Sequence, residues 1–157
     1  MNQINNSKPA ETFRYLILAT ERQGRSIFKE TFKKIGVTGA QAEVLKVLQE
    51  NEPLSLKELG AMLICETESP SRLINRLVTT GWVQKETSEK DSRFVNLSLS
   101  KEGKEKVLQI TKIEDSLYKM LEQSVPIEIL ENLNMQLSNL LSEQPISHTL
   151  RLRGIIK

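Results

Sequence analysis

The sequence predicts a mainly α-helical protein with one small β-hairpin near its middle. Three observations carry that expectation. Hydrophobic residues make up 38% of the 157 positions but aromatics only 4%, which favours helices packed through Leu, Ile and Val over an aromatic-rich sandwich. Apolar residues recur every three or four positions in long segments on both sides of the middle. Between Trp82 and Ser100 that spacing gives way to strict alternation interrupted by a polar turn.

Taken in order, residues 1–8 are polar and expected to be loose. Pro9 suits the first turn of a helix. From there to about Lys34, Phe13, Leu16, Ile17, Ile27, Phe28 and Phe32 follow helical spacing, with a gap at Gln23-Gly24 that marks a bend or a close helix contact. Gly36 ends the segment, and Thr38 is a good N-cap for a second helix that turns Ala42, Val44, Leu45, Val47 and Leu48 to a core. Asn51 to Pro53 reads as a turn. Ser55 then caps a third helix, and Glu58, three residues on, completes a capping box. Leu56, Leu59, Met62 and Leu63 form its expected buried side.

A fourth helix is expected from Thr67 to Thr80, with Glu66-Thr67 opening it. At about 100° per residue, Pro70, Leu73, Ile74 and Leu77 share one narrow arc. Glu68, Ser69, Ser71, Arg72, Asn75, Arg76 and Thr79 lie opposite. Hydroxyls, an amide and two guanidiniums are the groups that reach base edges and phosphates in a major groove. A solvated amphipathic face is the plain alternative for any such helix taken alone. Pro70 breaks nothing if Thr67 or Ser69 is the cap. Gly81 can take the left-handed conformation that ends a helix.

The hairpin after this helix weighs against the plain alternative. Trp82 to Lys85 reads as a strand, Thr87 to Ser92 as a polar turn, and Phe94 to Ser100 as a second strand with Val95, Leu97 and Leu99 facing one way. Helix, helix and charged hairpin make a winged helix-turn-helix. Ser71, Arg72 and Asn75 are the candidates for base contact, Arg76 and Lys85 for phosphates, and Ser69 is a further DNA-contact candidate. Lys90 and Arg93, at the hairpin tip, are placed to enter a minor groove, with Asp91 orienting Arg93 by a charge-assisted hydrogen bond.

After the hairpin, Ser100 caps a long helix to about Glu122, with Val107, Ile110, Leu117 and Leu121 at coiled-coil-like spacing. Pro126 begins another, whose Ile127, Leu130, Leu133, Leu137 and Leu140 form a continuous seam. A small winged-helix core cannot cover these seams and that of the first helix as well. A homodimer built from the first and last helices is therefore expected, with a pseudo-palindromic binding site set by its two-fold axis. The expected organisation is an N-terminal arm and dimerisation helix (1–36), a winged-helix lobe (37–100), C-terminal dimerisation helices (101–142) and a basic tail (143–157). The tail carries Arg151, Arg153 and Lys157. A loosely ordered end is the first expectation for it, with a clasping arm or a phosphate-binding extension as alternatives.

The formal net charge is only +2, so any basic footprint is local, and around the fourth helix Glu66, Glu68, Glu86, Glu89 and Asp91 dilute it. The one cysteine forms no internal disulfide, which suits a reducing cytoplasm. The first residues carry no signal-peptide pattern, and no run approaches the roughly 18 apolar residues of a membrane span, so a soluble cytoplasmic protein is expected. Cys65 stands where a helix N-terminus lowers a thiol pKa, but Glu66 and Glu68 act against that. A buried, unreactive cysteine is the expectation, with redox sensing as the alternative. One histidine, His148, and one cysteine make no metal cluster, and there is no Ser-His-Asp order, phosphate-cradling glycine loop or nucleotide fingerprint. No enzyme activity, metal or cofactor is expected.

Three motifs in this order resemble the core of the MarR family of bacterial transcription regulators. They are L-x-E-L-x-x-x-L (Leu56 to Leu63), S-R-L-I-N-R-L-x-x-x-G-W-V (Ser71 to Val83), and D-x-R followed by a strand and L-S-x-E-G (Asp91 to Gly103). With the flanking helices, the resemblance covers roughly residues 9 to 142. It implies a homodimer of winged-helix subunits on double-stranded DNA, a recognition helix in the major groove and a wing arginine, here Arg93, in the minor groove. It implies regulation of transcription, repression being the commoner outcome, and release from DNA by a small-molecule effector or an oxidant in many members. Relatives that sense oxidants typically use a cysteine in the first helix, which here has none. A winged-helix protein-interaction module without DNA binding is the alternative, and the acids flanking the basic residues are the one feature in its favour.

Overall fold

In a computed structural model of the chain, residues 8–65, 69–87 and 95–157 are described. The elements are α1 (Pro9–Lys33), α2 (Gly39–Asn51), β1 (Leu54–Ser55), α3 (Leu56–Met62), α4 (Pro70–Thr79), β2 (Val83–Thr87), β3 (Val95–Leu99), α5 (Lys101–Ser124), α6 (Ile127–Leu141) and α7 (Ile146–Leu152). The chain separates into two compact units, one ending at Gly39 and one running from Ala40 to Lys157.

The first unit is essentially α1, with Pro9 in its first turn. The helix is continuous through Gly24, and a Cβ there would meet nothing within 4 Å, so the close helix contact offered as one reading of this glycine is not seen among the described residues. A single interior glycine costs only about 1 kcal/mol, and the Arg25–Glu21 ion pair spans the position. Phe28 and Phe32 stack with ring centroids 5.4 Å apart. Phe13, Leu16 and Ile17 are exposed along the helix. Gly36, at φ 70°, takes the left-handed conformation that ends the segment.

In the second unit α2 supplies the centre of the core. Ala42, Val44, Leu45, Val47 and Leu48 are all buried, as their spacing predicts. The sheet has three strands in the order β1-β3-β2, all antiparallel, where the sequence predicted two. The added strand is Leu54–Ser55, with Leu54 opposite Leu97. Two residues are too short to show alternation, which is why the pattern missed it. The capping box of α3 forms as expected: the Glu58 backbone N–H donates to Ser55 Oγ and the Ser55 N–H donates to the Glu58 carboxylate. Leu59 is fully buried, but Leu56 is exposed, and Met62 and Leu63 are half-buried. A seven-residue helix over a small sheet covers one leucine fully and only grazes its neighbours.

The end of α4 and the start of α5 meet at one point. Gly81 has φ 82°. The Gly81 N–H donates to Val78 O and the Trp82 N–H to Leu77 O, both at 3.0 Å, which satisfies the last carbonyls of α4. Ser100 caps α5: its Oγ accepts from the Gly103 N–H at 3.0 Å and donates to Gly81 O at 2.6 Å, while its own N–H donates to Trp82 O. Along α5, Val107 and Ile110 are buried, and Lys46 from α2 pairs with Glu114 at 3.5 Å. Leu117 is only half-buried and Leu121 is exposed. In α6 no residue is buried; Ile127, Leu133 and Leu140 are about half exposed.

The tail departs from the expected loose end. Residues Ile146–Leu152 form α7, which packs against α3. Arg151 donates to Ser147 Oγ at 2.9 Å, to Ser142 O at 3.2 Å and to Lys157 O at 3.4 Å, and Ser147 is buried. Both tail arginines bond to acceptors within the chain, Arg151 as above and Arg153 to Glu43 Oε1 at 2.8 Å.

Candidate nucleic-acid interface

The candidate interface is the outer face of α4 with the adjoining strand β2. The helix starts at Pro70, later than the Thr67 expected from periodicity. The residue before a proline is disfavoured in helical conformation, while proline itself fits a first helical position. Ser69 is therefore the cap, extended in backbone, with its Oγ accepting from the Arg72 N–H at 3.4 Å. Residues 66–68 lie outside the described residues. Leu73, Ile74 and Leu77 are buried, and Pro70 is half-buried against α3, where a Cβ on Gly60 would lie 3.6 Å from its ring.

That burial fixes which way the helix faces. Ser71, Arg72, Asn75, Arg76 and Thr79 are exposed, as the periodicity predicts. Ser69, a DNA-contact candidate, already uses its hydroxyl as the cap, and its Oγ lies 3.3 Å from Ser71 Oγ. The Arg72 guanidinium makes no hydrogen bond or ion pair among the described residues. A guanidinium on this exposed face can offer its fork to a guanine edge.

Lys85, on β2, donates to Asn75 Oδ1 at 2.8 Å. Sequence reading proposed both residues separately and missed this link, which ties the wing to the helix. An amide oxygen has two lone pairs, so Asn75 can keep Lys85 and still accept from a base amino group while its NH₂ donates. Beneath the pair, Leu56, Ser71, Ile74, Asn75, Lys85, Val95 and Leu97 line a cavity of about 230 Å³. Val95 faces the same way as Leu97 and Leu99 but lies past the edge of the core and is exposed, where alternation predicted it covered. Lys90, Asp91 and Arg93, the wing-tip candidates, lie outside the described residues.

Cys65 is exposed, against the expectation of burial. It comes after α3 in a segment with no regular structure. There its N–H donates to Glu43 Oε2, and the Ile64 N–H donates to Glu43 Oε1, both at 2.8 Å. Glu43 was not singled out from the sequence. The signal was present: it is the one acid within the run Ala40 to Leu48, whose neighbours are nearly all buried, and a carboxylate there needs donors.

A family described as a winged helix DNA-binding domain matches residues 37–103. The chain is 33% identical over 100 residues to the uncharacterized HTH-type transcriptional regulator YwoH of Bacillus subtilis, covering 62% of this chain and 72% of that protein. It is 28% identical over 112 residues to the organic hydroperoxide resistance transcriptional regulator of Bacillus subtilis, covering 69% and 76%. The fold is similar to that of a cysteine-to-serine mutant of MarR from E. coli complexed with operator DNA. There the TM-score is 0.76 at 21% identity, over 88% of this chain and 99% of that one.

Proposed function

Because the chain belongs to the MarR family of winged helix-turn-helix, DNA-binding transcription regulators, we propose that it acts as a homodimer on a pseudo-palindromic operator. The observation that carries this reading is the exposed face of α4, which aligns Ser71, Arg72, Asn75 and Arg76 over a buried Leu73-Ile74-Leu77 anchor. Arg72, Asn75 and Ser71 read base edges. Arg76 and Lys85 hold phosphates, Ser69 fixes the helix start that meets the groove, and Lys90 and Arg93, oriented by Asp91, enter the minor groove. Relatives named as transcription regulators leave the protein-interaction alternative without support.

The uncovered apolar faces support the dimer. A helix such as α6, with an apolar seam and no buried residue, has no reason for that seam within one chain. The same holds for Phe13, Leu16 and Ile17 on α1. Helices 1–36 and 101–142 serve dimerisation and residues 37–100 serve DNA. A second copy against these faces would set two α4 helices about one turn of DNA apart. Sedimentation as a monomer at about micromolar concentration, a range where a seam of this kind should associate, would overturn this part.

The effector belongs to the same proposal. An apolar molecule in the 230 Å³ cavity would lie against Asn75 and Lys85 and compete with their DNA contacts. The test of the whole is recovery of bound fragments from the organism's genomic DNA, then fluorescence anisotropy across a salt series. A pseudo-palindrome bound tightly by wild type, and weakly by Arg93→Ala, is the expected result. Failure to recover any fragment would refute the assignment.

A further inference from the structure

Glu43 accepts three hydrogen bonds from two parts of the chain. Ile64 and Cys65 supply backbone N–H groups from the connection between α3 and α4, and Arg153 supplies Nη1 at 2.8 Å from just past α7. The Glu43 and Arg153 side chains are 9% and 19% exposed. We propose that Arg153 and Glu43 are positioning residues for DNA binding: through the Glu43 carboxylate, the C-terminal segment holds the backbone that leads into α4. This rests on the reading of α4 as the DNA-contacting helix.

Residues 63–65 have no helix or strand, so the exposed Ile64 and Cys65 amides have no ladder partner, and the Glu43 carboxylate takes the place of water. A carboxylate gives them charge-assisted bonds, stronger than neutral ones. Cys65 stands four positions before Ser69, the cap that starts α4. The placement of these two amides therefore bears on where the helix begins. Glu43 itself stays put, being on the central helix α2. Arg153 is delivered by a preordered tail: α7 packs on α3, and Arg151 fastens the segment at Ser142, Ser147 and Lys157. Without the guanidinium, a mostly covered carboxylate loses its counter-charge and draws in water or another donor. The amides then lose a fixed acceptor, and the Ile64–Cys65 backbone ahead of α4 is held less firmly.

The phosphate-binding alternative for Arg153 makes a different forecast, which allows a clean test. Full-length wild type, Arg153→Met, Arg153→Lys and Glu43→Gln, together with the Arg153→Met/Glu43→Gln double variant, are titrated by anisotropy. The probes are the duplex recovered by genomic selection and a mixed-sequence duplex, each across a salt series, with thermal melts in parallel. Arg153→Met and Glu43→Gln should each weaken specific binding about tenfold, within the range for substitutions outside a contact surface. Both should leave mixed-sequence binding and the salt slope unchanged. The double variant should be no worse than either single, since both cut one chain of contacts, and Arg153→Lys should recover part of the affinity. Wild-type specific affinity in Arg153→Met, even with a lowered melt, would overturn the proposal, as would additive losses in the double variant. A slope smaller by about 0.9 per lost contact would assign Arg153 to phosphate instead. If Arg153→Met does not fold, Arg153→Lys and Glu43→Gln decide the matter by the same criteria. Wild type that binds no duplex refutes the DNA-binding reading and this inference together; variants matching a binding wild type refute this inference alone.

Discussion

Replacing Gly103 by alanine should destabilise the protein through one contact. A Cβ at this position would lie 2.0 Å from the Trp82 carbonyl oxygen, 3.0 Å from its carbonyl carbon and 3.4 Å from Leu99 Cδ2. The first two are backbone atoms and cannot swing aside. Merely to reach a 3.0 Å approach, the α5 start and the β2 entry must part by about 1 Å. That gap opens where Ser100 donates to Trp82 O and to Gly81 O and accepts from the Gly103 N–H. Overpacking of this kind costs about 1–3 kcal/mol, and each weakened hydrogen bond about 1 kcal/mol. Alanine returns about 0.5–1 kcal/mol through its better helix propensity. The net expectation is a loss of about 2–3 kcal/mol, read by urea denaturation at fixed protein concentration. Gly24→Ala is the paired control: with nothing within 4 Å, it should gain about 0.5–1 kcal/mol. If Gly103→Ala is as stable as wild type, the α5–β2 approach is not as tight as described and the reasoning fails.

Other expectations rest on the same geometry. Arg72→Ala should lose about 1–3 kcal/mol of specific binding and relax one base position in a selection experiment. Arg76→Ala should weaken all sequences alike and reduce the salt slope by about one. Exposed Cys65 should react with a small maleimide in the folded protein, and bound operator DNA should slow the labelling because the thiol stands just before α4; labelling only after denaturation would contradict the exposure. Glu114 is pushed above the usual carboxylate range by burial, against the pull of Lys46. Its ionised form is thus worse tolerated folded than unfolded, a penalty present above the folded pKa and relieved as pH falls through it. Glu114→Gln should therefore match or exceed wild-type stability at neutral pH and remove that acid-side gain. Glu58, held low by the Ser55 backbone N–H, acts oppositely: its stabilisation is present above the unfolded pKa and lost as pH falls through the folded one. A marked loss of stability in Glu114→Gln at neutral pH would reverse the sign assigned here.

What could be read from sequence was chemistry settled within a few residues. The Ser55–Glu58 box, the left-handed Gly81, the Ser100 cap and the buried arc of α4 each depend on neighbours along the chain, and each is found where its residues place it. What escaped depends on partners far away. Leu54–Ser55 becomes a strand only because Leu97 and Asn96 lie opposite. The tail is ordered by α7 packing on α3, and its Arg153 reaches Glu43, 110 positions earlier. The Lys85–Asn75 bond crosses from strand to helix. Leu56 and Val95 show the limit of periodicity: it gives the face correctly but not where the core ends along that face. Of the site, the α4 side chains were legible as a set, whereas the wing-tip assignment of Lys90, Asp91 and Arg93 rests on the charge of the hairpin and on the family resemblance, these residues lying outside the described ones.

The most direct test of the central claim is the stoichiometry and footprint of the wild-type protein on its selected operator. Two chains per duplex, protecting two major-groove segments about 10–10.5 base pairs apart centre to centre, are expected, with both protections lost in Arg72→Ala. One chain per duplex, a single protected segment, or a footprint unchanged by Arg72→Ala would contradict a dimer that reads DNA through α4.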